Sequence, residues 1–149
     1  MRRSKGGLLL HLDCFSGIAG NMFLGALLDL GLSRRVLSED LKGLDLPHRL
    51  VVRRVQRGAL AARYLEVRPV GASSASGARK HQEIVRVLRG ARLESSVRTR
   101  ALAIYQNLAE AEARVHGVPV ERVHFHEVGA IDAIVDITGA AIGLARMEV

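Results

Sequence analysis

The 149-residue sequence is 48% hydrophobic and 25% charged, which fits one compact soluble domain with a sizeable core and leaves little room for two. Its net charge of +7 favours acidic partners, but scattered basic residues and only 3% aromatics argue against a nucleic-acid surface or base-stacking platform. Cys14 is the only cysteine, so no intramolecular disulfide can form, which fits a reducing, cytoplasmic compartment.

The amino terminus "MRRSKGGLLLHLDCF" is basic, but its apolar run is broken by His11 and Asp13, too short for a signal peptide or a membrane span. Gly7 to Asp13 reads as a short buried strand, because apolar residues run together before a glycine-containing loop. "NMFLGALLDLG" then predicts a helix ending at Gly31 with a left-handed cap. A second short helix is expected from Ser33, where Val36, Leu37 and Leu41 fall at helical spacing, before Pro47 breaks the pattern.

"HRLVVRRVQRGALAARYLEVRPV" predicts two strands joined around Arg57-Gly58, with Val51, Val52 and Val55 in the first and Tyr64, Leu65 and Val67 in the second. Arg53, Arg54, Arg57 and Arg63 lie around this hairpin, and a solvated sheet face accounts for them. Gly71 to Ala78, "GASSASGA", has the composition of a flexible loop within a single domain spanning 1–149. Two helices follow, one through "HQEIVRVLRG" and one from about Glu94 to His116. The longer places Val97, Ala101, Ile104, Tyr105, Leu108 and Val115 on one face, and Gly117 and Pro119 stop it. The last segment starts extended at "VHFHE" and turns helical near Gly129. Ile131, Ile134, Val135, Thr138 and Ile142 form an apolar stripe. The other side carries Asp132, Asp136, Gly139, Ala140 and Gly143. Such a helix is normally buried, and with no element after it the pattern predicts a truncated domain. The expected architecture is α/β, a small mixed sheet of the first strand and the central hairpin covered by several helices.

Two places can carry chemistry. In "HFHEVGAIDAIVD", alternation in an extended segment points His124 and His126 the same way, and Glu127 joins them if the chain turns. Asp132 and Asp136 are one helical turn apart, so their carboxylates converge, and on a buried helix they need a cation, a histidine or an arginine. The helix dipole alone also accounts for Asp132. Imidazole and carboxylate together suit zinc, nickel, iron or manganese without choosing among them. The second place is the first strand and its loop. Asp13 ends the strand, and "SGIAGN", Ser16 to Asn21, leads into a helix amino terminus with free backbone amides, a place for an anion. It lacks the P-loop and dinucleotide signatures, so on its own a tight turn explains it better than a phosphate cradle. Cys14 beside it is a soft ligand, a nucleophile or simply a packing residue. His116 complements the dipole of its own helix.

"LDCFSGIAGNMFLGALLDLG" and "AEAEARVHGVPVERVHFHEVGAIDAIVDITGAAIGL", in this order and spacing, resemble the LarC family, the nickel insertion proteins of the lactate racemase nickel-pincer cofactor pathway. The resemblance covers nearly the whole chain but only the amino-terminal portion of the family. It implies insertion of nickel into pyridinium-3,5-bisthiocarboxylic acid mononucleotide, with consumption of CTP, which binds together with a divalent cation. It implies that His124, His126 and Glu127 hold or relay the metal, and that Asp13, Asp132 or Asp136 is a ligand or catalytic base. Ser16, Gly17, Gly20 and Asn21 would then hold the substrate phosphate. The sequence departs from the family at Asn21, where aspartate is usual, and in its middle loop, which is not histidine-rich. The family's carboxyl-terminal portion, which carries CTP binding, is missing, so a separately encoded portion is an expected partner, and a second copy of the chain another. A metal-delivery module or inactive fragment, and a metal-dependent enzyme acting on another phosphorylated small molecule, are the alternative readings.

Overall fold

The computed structural model describes residues 9–15, 17–71 and 77–149. Helix α1, Gly20–Asp29, buries Leu24, Leu27 and Leu28, the i, i+3, i+4 spacing of a one-faced helix. Its end is closed by Gly31 at φ 110°, with Leu32 N–H donating to the Leu27 carbonyl at 2.9 Å and Gly31 N–H to that of Leu28 at 3.4 Å. This is the double bond of a Schellman cap, and the leucines at its two ends are both buried. Helix α2, Arg34–Leu41, starts at Ser33, whose hydroxyl accepts the Val36 N–H at 3.5 Å, and a 3-10 turn, Lys42–Leu44, ends it.

Strands β1, His48–Arg57, and β2, Leu60–Pro69, form an antiparallel hairpin in which Arg57 faces Leu60 and His48 faces Pro69. Gly58 supplies the positive φ (59°) that a two-residue hairpin loop needs at its first position. Helix α1 lies on β2 because Gly25 has no side chain: a Cβ there would collide with the backbone carbonyl of Arg63. Asp29 pins the same contact, accepting the Arg63 N–H at 2.9 Å and pairing with its guanidinium at 3.1 Å.

Strand β3, Arg79–Lys80, runs directly into helix α3, His81–Gly90, whose Glu83 accepts the Lys80 N–H at 3.0 Å. Helix α4, Ser95–His116, follows, then a 3-10 turn, Val120–Arg122, and strand β4, His124–Phe125. β4 pairs antiparallel with β3, with Arg79 opposite Phe125 and Lys80 opposite His124. Helix α5, Ile131–Arg146, closes the fold and packs against α1, α2, α4 and β2 at once. That position explains its apolar composition, since Ile131, Ile134, Val135, Thr138 and Ile142 are all buried.

The α/β class expected from the sequence holds, but the sheet differs. Among the described residues there are two separate two-stranded antiparallel sheets rather than one mixed sheet. The expected first strand does not form over 9–13, where Leu9 is 92% and Leu12 48% exposed, while Gly7 and Leu8 lie outside the described residues. A strand exists only through ladder partners, and among the described residues nothing pairs with 9–13, although β1 and β2 each keep an open outer edge. The face of α4 also differs. Its buried stripe is Val97, Ala101, Tyr105, Ala109 and Ala113, whereas Val115 is exposed. Alanines dominate because α4 lies close against α5, so small residues carry contacts that a search for large apolar side chains overlooks. Of the loop expected at 71–78, residues 72–76 lie outside the described residues.

Candidate functional site

The residues singled out by the sequence fall into two places. The first is the corner where α5 begins beside the start of α1. Asp132, in the first turn of α5, is exposed, and its Oδ1 accepts the Ala133 N–H at 2.9 Å. Asp136, one turn on, is half-buried and lies against Gly20: a Cβ on Gly20 would be 2.7 Å from the Asp136 Cβ and 2.9 Å from its Oδ2. The Asn21 backbone N–H donates to the Asp136 carboxylate. Thus the amino terminus of α1, with its free amides and positive dipole end, already faces an anion supplied by the protein itself.

Burial pushes the Asp136 carboxyl up to about 6, with the nearby Asp132 charge adding to the rise and the Asn21 amide opposing it. Its Oδ1 is buried without a hydrogen-bond partner among the described residues. The sequence showed that this carboxylate pair would need a partner, and among the described residues neither member forms an ion pair. Asp136 is therefore a carboxyl poised to exchange a proton near neutral pH.

The sequence marks neither of two neighbours as part of this corner, although it places Tyr105 on the apolar face of its helix. Tyr105 is fully buried on α4, and its hydroxyl donates to the Val128 carbonyl at 3.0 Å. Burial pushes its phenol up, an effect reinforced by both aspartates and opposed by Arg79. Arg79 donates to the Gly129 carbonyl at 2.6 Å, fixing the turn that launches α5. Gly129 is needed there, since a Cβ would lie 2.6 Å from the Phe125 carbonyl and 2.7 Å from the Arg79 nitrogen. Tyr105 could have been noticed as one of only two tyrosines, set in an alanine-rich helix face. Arg79 gave no signal, because its role depends on pairing with a segment almost fifty residues away.

The second place is the edge formed by β4. Alternation works as expected: Phe125 is buried, with its ring 5.8 Å from that of Tyr105, while His124 and His126 are both exposed. The two histidines line one shallow depression of about 290 Å³ together with His116, Arg122 and two valines. His116, which the sequence suggested only as a dipole partner, thus joins them, although its Nε2 also lies 3.1 Å from Glu112. Glu127 is exposed and does not line this depression, and neither do Asp132 and Asp136. Among the described residues, no group of three or more His, Cys, Asp or Glu side chains is arranged to hold a metal ion.

The remaining loop residues are not gathered into either place. Asp13 and Cys14 are exposed in an irregular segment, Gly17 is exposed at φ 82° in a turn closed by its N–H to the Cys14 carbonyl at 2.9 Å, and Ser16 lies outside the described residues. Among the described residues of that loop, Gly20 and Asn21 are the ones that lie against a carboxylate. No helix among the described residues is long and apolar enough to cross a membrane.

Comparison with known proteins agrees with the arrangement of the two sequence blocks. The chain is 47% identical over 140 residues to the "Putative nickel insertion protein" of Syntrophobacter fumaroxidans, covering 93% of this chain and 35% of that protein. The protein of the same name from Synechococcus sp. (strain JA-2-3B'a(2-13)) is 44% identical over 142 residues, covering 93% and 36%. That of Synechococcus elongatus is 48% identical over 136 residues, covering 90% and 33%. The chain therefore spans about a third of the length of the curated relatives it matches. No solved structure matches it. The family model described as nickel insertion protein matches residues 10–149, which takes in both the α1–α5 corner and the histidine edge, and the chain belongs to that family.

Proposed function

We propose that this chain supplies the nickel-handling part of a reaction that inserts nickel into pyridinium-3,5-bisthiocarboxylic acid mononucleotide. The observation that carries the reading is that His124 and His126 share one exposed face, around a depression with His116, in a member of the nickel insertion family. Nickel is the substrate here, delivered rather than retained. Neutral imidazoles suit it, and an exposed edge suits an ion that must arrive and leave. Glu127, next to His126, is the carboxylate closest in sequence to complete such a set.

Forming a bond from nickel to a ring carbon requires that carbon to lose its proton. Asp136 is the base best suited, because a carboxyl titrating near 6 is largely ionised at neutral pH yet holds a proton better than an ordinary carboxylate. Asp132 raises its basicity, and Asp13 is the third carboxylate of the proposed set. The substrate phosphate is assigned to Ser16, Gly17, Gly20 and Asn21. It would compete with Asp136 for the α1 amides, and proton uptake by Asp136 eases that competition. CTP and its divalent cation belong, on this reading, to a carboxyl-terminal portion of the family, on the same or another chain.

The test is calorimetric titration of the chain with Ni²⁺, Zn²⁺ and Mn²⁺, beside a His124→Ala/His126→Ala variant. The reading expects nickel binding near one equivalent that falls at least about tenfold in the variant, one lost ligand being worth on the order of 1.4 kcal/mol or more. Unchanged nickel binding in the variant would sink the metal assignment. Tight zinc or manganese binding with weak nickel binding would favour a metal-dependent enzyme on another phosphorylated molecule. Nickel bound without turnover, even with CTP, substrate and the carboxyl-terminal portion present, would favour a delivery module.

A further inference from the structure

A cleft apart from both places above is open to a ligand. It encloses about 790 Å³ between α3 and α4, bounded by the 3-10 turn at Val120–Arg122, and nothing in the proposed nickel chemistry uses it. Its volume falls within the range of sites for whole small molecules, roughly 300–1,000 Å³. Arg86 and Arg89 line it from α3, and both are exposed with no acidic partner at ion-pair distance among the described residues. Arg63, Arg68 and Arg146 pair with Asp29, Glu66 and Asp40, whereas Arg54 and Arg57 on the hairpin, like Arg86 and Arg89, form no ion pair among the described residues.

The cleft is also chemically graded. Val85 and Val120 give it apolar wall, and Gln82 and Gln106 offer amide groups. His81 is only 7% exposed, and its Nε2 is buried with no hydrogen-bond partner among the described residues. Of the five buried side-chain atoms left without a partner among the described residues, it is the one that belongs to a residue lining this cleft. Burial holds the imidazole below its ordinary value, with Glu121 opposing the shift, so His81 is neutral at physiological pH and adds no charge. Glu121 borders the same cleft, so the site has a cationic side on α3 and an anionic side on the 3-10 turn.

We propose that this cleft binds a small molecule carrying a phosphate group, with the phosphate on Arg86 and Arg89, the organic body against Val85 and Val120, and a donor or cationic group towards Glu121. Guanidinium pairs bind phosphate through charge-assisted hydrogen bonds, and two one helical turn apart present their forks to the same anion. The Val120–Arg122 turn separates this cleft from the histidine depression, since Glu121 borders one and Arg122 the other. The proposal does not depend on nickel, and its test contains none.

The test is titration of the whole metal-free chain with inorganic phosphate and with phenyl phosphate, followed by amide and arginine side-chain NMR shifts. Phenyl phosphate should bind roughly tenfold tighter than inorganic phosphate, because its ring buries apolar surface in the cleft. Shifts should centre on α3, Gln106 and Glu121. Arg86→Ala/Arg89→Ala should weaken binding by roughly tenfold or more, while Arg54→Ala, on the exposed hairpin, should leave it unchanged. Glu121→Gln should tighten binding, since it removes the one facing negative charge. All of these substitutions are at exposed positions, so folding is not at stake. Equal losses in Arg54→Ala and the double variant, shifts spread over the hairpin, or phenyl phosphate binding no tighter than phosphate would each overturn the proposal.

Discussion

Two regions of this molecule carry the residues that its sequence marks out, and they are built in opposite ways. Along the α1–α5 contact, each glycine of one helix receives a side chain of the other. Gly20 meets Asp136, Gly139 meets both methyls of Leu24, at 3.1 and 3.2 Å from a would-be Cβ, and Gly143 meets Leu27. The carboxylate at the top of this seam is therefore held by packing. At the β4 edge, His124 on the two-residue strand and His126 just after it are exposed, and the strand's buried side chain is Phe125. A group whose pKa must be shifted needs burial, whereas a group that passes an ion needs access. The contrast in construction matches the contrast in proposed role, and it can be tested from the seam outward.

The strongest test of the seam is Leu24→Ala. Leu24 is fully buried against Gly139, which cannot fill the space from its own side, so a cavity should remain. The expected loss is about 3 kcal/mol, read from the urea midpoint. A loss under about 1 kcal/mol would mean that α1 and α5 are not closely packed. Gly25→Ala probes the other side of α1 and should cost about 2 kcal/mol by the same measurement. The new methyl meets the rigid Arg63 carbonyl, and this outweighs the usual gain of about 1 kcal/mol for alanine over glycine in a helix.

Most of the seam was legible in the sequence, because helical period and small residues are local signals. The buried stripe from Ile131 to Ile142, the Gly31 cap, the Gly117 stop and the whole of α3 follow from spacing and end residues alone. The convergence of Asp132 and Asp136 on one side of α5 followed from the same period. What could not be read is whatever depends on partners distant in sequence. Nothing local says that Gly20 abuts Asp136, that Arg79 pairs with Phe125, or that Leu9 to Asp13 has no ladder partner among the described residues. At the histidine edge, alternation gave the direction of His124 and His126, but the arrival of His116 beside them depends on where α4 ends in space.

A smaller effect separates a packed carboxylate from an ordinary one. Asp136 titrates near 6 in the fold against 3.8 ordinarily, so between those values the folded chain binds more protons than the unfolded one. Stability contributed by this group must then fall as pH rises from about 4 to about 6, and stay reduced above. Asp136→Asn keeps the shape and an acceptor for the Asn21 amide but removes the charge. Discounting the full shift for partial exposure, it should stabilise the chain by about 1–2 kcal/mol at about pH 7.5 and change little at about pH 4. Thermal melts at the two pH values give the difference, and equal effects at both would show that burial does not hold the proton.

The smallest effect is expected at the other region, and its smallness is the point. His124→Ala/His126→Ala should change stability by less than about 0.5 kcal/mol, because both side chains are exposed and, among the described residues, neither forms an ion pair that its loss would orphan. Lys80 and His124 meet through their backbones, so the β3–β4 pairing survives truncation of the side chain. With that outcome, two histidines that alternate on one face beside a third fit an ion relay better than a structural role. Urea denaturation of the metal-free double variant decides between them. A loss above about 1 kcal/mol would assign the pair to holding the β4 edge in place, and the two regions would then differ in exposure only.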